Sequence, residues 1–132
     1  MAASESYPED LLYHREHDWA RIDGDEAVLG VTWYAADSLG ELVHFEAPEV
    51  GSSVSKNQSY GEVESVKAVS DLIAPLSGEV LEVNQKVIDA PETVNEDPYG
   101  EGWLIRVRLT SPPELDDLLD AGAYRKLLEE LA

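Results

Sequence analysis

The sequence predicts a mainly β domain, a flattened barrel or sandwich with short helices added, on three observations. Short apolar or alternating runs fill the middle of the chain. Glycines at 24, 30, 40, 51, 61, 78, 100 and 102 punctuate those runs at strand-like intervals. Helical spacing of apolar residues appears in quantity only near the C-terminus, where small helices would cover an open end of the β core.

In chain order, Ala27 to Val31 and Leu42 to Phe45 are compact β-type runs, and Thr32 to Leu39 between them suits one short helix. Thr32 is its cap and Gly40 closes it. The run from Gly61 to Ser65 reads as a strand entering a turn, and that from Asp71 to Gly78 as the strand leaving it. Gly40-Glu-Leu-Val-His-Phe45 echoes Gly78-Glu-Val-Leu-Glu-Val83, compatible with two similar β halves. The polar stretch from Asn84 to Gly102 is long for a bare connection, so it is expected to be functional or locally structured. From Trp103 to Leu109 the chain alternates, with Trp103, Ile105, Val107 and Leu109 on one face and Arg106 and Arg108 on the other. Ser111-Pro-Pro-Glu114 then offers a helix cap with a capping-box Glu. Leu115, Leu118 and Leu119 follow at helical spacing, and Tyr124, Leu127, Leu128 and Leu131 form a second stripe.

The length of 132 residues fits one domain. Residues 1–12 are expected to be a flexible N-terminal segment, and 13–132 a single domain whose helical cover begins near 111. Asp and Glu number 28 against 9 Lys and Arg, a formal net charge of −19. So few cations argue against nucleic acid and against anionic membrane surfaces. No apolar run reaches the roughly 18 residues of a membrane span. The first ten residues hold no Lys, no Arg and no apolar stretch, which predicts no signal or transit peptide and a cytoplasmic location. The chain has no cysteine, so disulfides, zinc thiolates and a cysteine nucleophile are excluded.

The residues do not compose an enzyme. His14, His17 and His44 show no Ser-His-acid ordering; His14 and His17 suggest no third metal ligand, and a surface or capping role is expected for them. Gly100-Glu-Gly102 lacks the pattern of a phosphate loop. With so many carboxylates, no single pair stands out as acid and base. Neither catalytic nor metal-binding residues are assigned. One lysine does stand out. Between Lys56 and Lys86 the only cation is Lys67, near the apex of the hairpin, with small neighbours Val66 and Ala68 and with Glu62, Glu64 and Asp71 close by. An ordinary solvated lysine and an amine presented for acylation both fit that position.

Gly61-Glu-Val-Glu-Ser-Val-Lys-Ala-Val-Ser-Asp71 resembles the lipoyl-lysine hairpin of the glycine cleavage system H proteins. His17-Asp-Trp19, Gly30-Val-Thr32, Tyr34-Ala35, Leu39-Gly-Glu41, Pro48-Glu-Val-Gly51, Ala74-Pro75, Ser77-Gly-Glu-Val80, Glu82-Val-Asn84, Val94 to Trp103 and Leu118-Leu-Asp-Ala121 resemble that family in order. Biotinyl carriers usually flank their lysine with methionines, and lipoyl domains of 2-oxo acid dehydrogenase complexes usually carry Asp just before it. Val66 and Ala68, and a chain with its own C-terminal helices, match neither. Two positions depart from the family: Asp18 where Glu is usual, and Trp33 where Asp or Asn is common.

The resemblance implies a lipoyl/biotinyl-type fold and a carrier, not an enzyme. Lipoic acid would be joined by an amide to Lys67, which accounts for redox sulfurs in a chain without cysteine. Glu64, Ser65, Val66 and Ala68 would be read by the lipoylating enzyme, and His17, Asp18 and Trp19 would flank the docked arm. The implied partners are a pyridoxal-phosphate glycine decarboxylase, a tetrahydrofolate-dependent aminomethyltransferase and dihydrolipoamide dehydrogenase, visited by a monomer. A lipoyl relay protein serving other carrier domains, and an interaction protein that has lost its modification, are the alternatives.

Overall fold

A computed structural model describes residues 3–131; positions 1, 2 and 132 of the expected N-terminal segment and C-terminal cover lie outside them. Strands β1 (Leu12–Tyr13), β2 (Asp18–Asp23) and β3 (Glu26–Val31) lead into helix α1 (Trp33–Leu39). Strands β4 (Leu42–Glu46), β5 (Ser53–Val54), β6 (Ser59–Ser65), β7 (Val69–Ile73) and β8 (Gly78–Val83) follow. After helices α2 (Gln85–Asp89) and α3 (Thr93–Glu96) come β9 (Ile105–Leu109), a 3-10 turn over Pro112–Asp117 and helix α4 (Ala121–Leu131).

The strands form two antiparallel sheets that do not close into a barrel. The larger runs β1-β2-β3-β9-β8-β5 and the smaller β4-β6-β7. The echoing segments of the sequence are β4 and β8, one in each sheet. Between the sheets lies the main core, where Ala20, Leu29 and Val107 of one meet Phe45, Val63 and Leu72 of the other. Each is at most 3% exposed, so this layer supplies most of the apolar burial that stabilises the fold. The opposite face of β1–β3 carries a second cluster, in which Tyr7, Leu11, Tyr13, Trp19, Tyr99 and Tyr124 pack together. The Tyr13 and Tyr124 rings stack with centroids 4.8 Å apart.

Residues 3–11, expected to be flexible, are laid along this second cluster. Tyr7 and Leu11 are buried, and the Tyr99 hydroxyl donates to the Ser6 carbonyl. The C-terminal cover also differs from its expectation. The first apolar stripe is not an α-helix but the 3-10 turn, and Ser111 makes no side-chain cap. Glu114, instead of closing a capping box, accepts from the backbone N–H and hydroxyl of Ser77 at 2.7 and 2.9 Å. Consecutive prolines hold the backbone in a tight turn, and the carboxylate finds stronger donors across the chain than at its own N-terminus. Alternation in the last strand starts later than expected. Leu104 and Ile105 are both buried, and pairing begins at Ile105. Among the described residues no helix is long and apolar enough to cross a membrane.

Candidate functional site

The hairpin β6–β7 ends at the pair Glu64↔Val69, leaving Val66, Lys67 and Ala68 beyond the ladder. Ser65 closes that loop. Its N–H donates to the Ala68 carbonyl at 2.8 Å, and its hydroxyl accepts from the N–H groups of Lys67 and Ala68 at 3.3 and 3.1 Å. One buried side chain therefore satisfies two loop donors that the ladder no longer reaches. A second tie comes from the neighbouring strand, where Leu42 pairs with Ser65 and the Val66 N–H donates to the Glu41 carbonyl at 3.3 Å.

On this fixed turn Lys67 is exposed, and its ammonium makes no ion pair or hydrogen bond with any described residue. Its aliphatic stem lies against Gly40, where an added Cβ would sit 3.5 Å from Lys67 Cε. Gly40 holds a left-handed φ of 84°, closes α1 and leaves the stem a bare backbone to cross. Two other lysines are committed: Lys56 pairs with Asp117, and Lys86 of α2 with Glu101. Glu64, Val66 and Ala68 are exposed around Lys67, with Val66 73% accessible. Ser65, by contrast, is only 4% exposed, so an enzyme would meet the turn that Ser65 shapes and not its hydroxyl. On the outward face below the tip, Glu46, Glu62 and Asp71 stand in one cross-strand row. Like charges directly opposite destabilise a sheet, so the row raises the negative potential near Lys67 at a small structural cost.

The three residues around position 18 are not brought together as one wall. Only His17 reaches the surface, half-buried, in a left-handed conformation with φ 75°. Trp19 is fully buried in the second core, and its indole N–H donates to the Pro98 carbonyl at 3.0 Å. Asp18 is 2% exposed and accepts from the Tyr60 hydroxyl at 3.3 Å. Burial pushes its carboxyl well above the ordinary range. The Tyr60 hydrogen bond opposes that shift and the nearby Glu16 charge adds to it. His14 is likewise buried, its Nε2 2.7 Å from the Asn57 side-chain oxygen and its Nδ1 accepting from the Glu16 N–H, a bridge between loops instead of a surface residue.

A pH dependence follows for Asp18. The folded state holds this proton more tightly than the unfolded chain, so the group lowers stability as pH rises from the ordinary carboxylate pKa of about 4 towards its raised native value. Below that window it costs nothing. Asp18→Asn cannot ionise, so its melting temperature relative to the parent is expected to rise with pH across the window, whatever constant offset the amide adds. Thermal melts from pH 3 to 8 check this, and a difference that is flat with pH would refute the buried, protonated carboxyl.

A cleft of about 290 Å³ opens between α1 and α3, lined in part by Trp33, Asp37, Gly40, Glu41 and Asn95. Asn95 ties it together, its side chain accepting from the Leu42 N–H and donating to the Gly40 carbonyl. The unusual Trp33 donates its indole N–H to the Ala3 carbonyl at 2.7 Å and its backbone N–H to the Tyr99 hydroxyl at 2.9 Å, anchoring the N-terminal segment. Sequence reading does not single out this cleft, although Trp33, Ala36, Asp37 and Gly40 share one helical face by spacing.

Comparison with known proteins agrees with this geometry. Residues 11–131 match the family described as Glycine cleavage H-protein. A glycine cleavage system H protein of Rubrobacter xylanophilus is 57% identical over 123 residues, 93% of this chain and 95% of the relative. One from Symbiobacterium thermophilum is 51% identical over 123 residues, 93% of this chain and 96% of its own. The crystal structure of a glycine cleavage system H protein from Mycobacterium marinum superposes with a TM-score of 0.84 at 44% identity, covering 91% of this chain and 97% of that one. The chain belongs to the glycine cleavage H-protein family.

Proposed function

We propose that this chain is the lipoyl-bearing carrier of a glycine cleavage system, with lipoic acid joined by an amide to Lys67. The observation that carries the reading is the uncommitted Lys67 amine at the exposed apex of a turn locked by Ser65. When attached, the lipoyl group supplies a disulfide that accepts and hands on an aminomethyl group and is restored by oxidation of the dithiol. The chain's own part is mechanical and electrostatic. The hairpin presents the tether's root at an exposed turn, which turns successive partner reactions into encounters at high local concentration. Gly40 lets the stem lie flat, and Glu64, Val66 and Ala68 form the exposed surface around the lysine that a lipoylating enzyme would read. The partners in this reading are a glycine decarboxylase, an aminomethyltransferase and dihydrolipoamide dehydrogenase, each meeting a monomeric carrier. A net charge of −19 favours basic docking faces on them.

Intact mass and peptide mapping of protein from its native host test the assignment: a lipoyl increment on the peptide containing Lys67 is expected, and an unmodified Lys67 there would sink it. A further expectation concerns Ser65. Ser65→Ala removes the acceptor of two loop N–H groups and should cost about 1 kcal/mol in chemical denaturation. It should also slow lipoylation by a purified ligase, because the loop is no longer held in one shape. Normal modification of the folded variant would show that the ligase does not depend on that turn.

A further inference from the structure

Between Gly40 and Leu42 the chain turns from α1 into β4, and all three residues of this corner meet the Lys67 turn. Gly40 lies against the Lys67 stem, the Glu41 carbonyl accepts the Val66 N–H at 3.3 Å, and Leu42 pairs with Ser65. The ladder is interrupted here, because the register of β4 against β6 shifts between Leu42 and His44. Support for the corner comes from α3. Asn95 donates its side-chain amide to the Gly40 carbonyl at 2.8 Å and to the Ala36 carbonyl at 3.4 Å. Its side-chain oxygen accepts the Leu42 N–H at 2.9 Å. Carbonyls only accept and a backbone N–H only donates, so a single orientation of the amide serves all three partners. Asn95 therefore takes the place of a strand partner on both sides of Glu41, the residue whose carbonyl holds Val66.

We infer that Asn95 is a positioning residue for the acylation of Lys67: by clamping the corner 40–42 it fixes the side of the lysine turn that Ser65 does not. The two ties divide the loop. The Ser65 hydroxyl holds the N–H groups of Lys67 and Ala68, whereas the Val66 N–H, at the entry to the loop, is held by Glu41. With Gly40 and Leu42 released from Asn95, the Glu41 carbonyl is free to turn away and the Val66 N–H loses its acceptor. The Lys67 stem loses its backing at the same time, because Gly40 is the residue it lies against. The amine becomes no less exposed; what grows is the number of directions in which it is presented. An enzyme that binds the turn in one shape must then order the loop itself, which weakens binding. This role rests on Lys67 being the lipoyl-lysine.

Native-state hydrogen exchange and lipoylation kinetics on the full chain test it. In Asn95→Ala the Val66 amide should exchange about tenfold faster than in the parent, while those of Lys67 and Ala68 change little. With a purified lipoylating enzyme the KM for the variant should rise about fivefold at nearly unchanged kcat. Acetic anhydride, which needs only an exposed amine, should modify Lys67 at the parent rate. Val107→Ala, a truncation of a fully buried residue of β9, controls for lowered stability and should leave Val66 exchange and the KM as they are. Asn95→Asp keeps the acceptor for Leu42 but sets an oxygen against the Gly40 carbonyl, so it should repeat the pattern and stands in if Asn95→Ala does not fold. A Val66 amide that exchanges in the parent like an unstructured chain overturns the inference without any variant. So does an equal acceleration at Val66 in Val107→Ala, normal lipoylation of a folded Asn95 variant, or an equal slowing of the reaction with acetic anhydride. A parent chain that the enzyme leaves unmodified at Lys67 would instead overturn the functional reading and leave the exchange pattern standing.

Discussion

Lys67→Arg is expected to abolish lipoylation while leaving the fold intact. Guanidinium keeps the positive charge but is held protonated and delocalised at any working pH, so it is a poor acyl acceptor. The side chain is exposed and its ammonium has no partner among the described residues, so the change in stability should stay within about 0.5 kcal/mol. Circular dichroism and melting should therefore match the parent, while intact mass shows no lipoyl increment and the protein no longer serves as substrate of dihydrolipoamide dehydrogenase. The competing acceptor is Lys126, which is also exposed. It lies within α4, where the backbone is a continuous helix, so no hairpin presents its amine. A lipoyl increment that persists in Lys67→Arg would move the site there or elsewhere, and a melting temperature far below the parent would mean that Lys67 serves the fold.

Much of this was legible because it depends on short-range signals. Thr32 caps α1 and Gly40 closes it, as their side-chain chemistry demands. The strands at 26–31 and 42–46 carry their own apolar runs, and Lys67 falls at the apex of a hairpin whose pairing stops at Glu64 and Val69. What stayed hidden depends on long-range partners. Glu114 looks like half of a capping box until Ser77 arrives from 37 residues away. His17, Asp18 and Trp19 read as one surface motif, yet strand alternation and the left-handed His17 send them to three different environments. Trp33 becomes intelligible once Ala3 and Tyr99 lie against it. The α1–α3 cleft exists only because Asn95 stitches two segments together.

Trp19→Ala should separate a fold residue from an arm-docking residue, and its effect on stability is the largest expected here. The indole is fully buried and crosses Gly30 of the neighbouring strand, where an added Cβ would fall 2.5 Å from the ring. No other residue at 30 leaves room for it. The Arg21 guanidinium sits 5.0 Å above the ring, and the indole N–H satisfies the Pro98 carbonyl. Truncation removes all of this packing and leaves that carbonyl without its donor, for a loss of about 3–5 kcal/mol. Against a total stability of roughly 5–15 kcal/mol the melting temperature should fall by about 10–20 °C. The cluster around Trp19 lies on the face of the larger sheet turned away from β4, β6 and β7, so the Lys67 hairpin does not lean on the indole. Below its melting point the variant should accept lipoic acid at the parent rate per folded molecule. Unchanged melting together with impaired service to the decarboxylase or the aminomethyltransferase would return Trp19 to the wall of the arm's cleft; lowered melting with normal modification fixes it as the keystone of the second core.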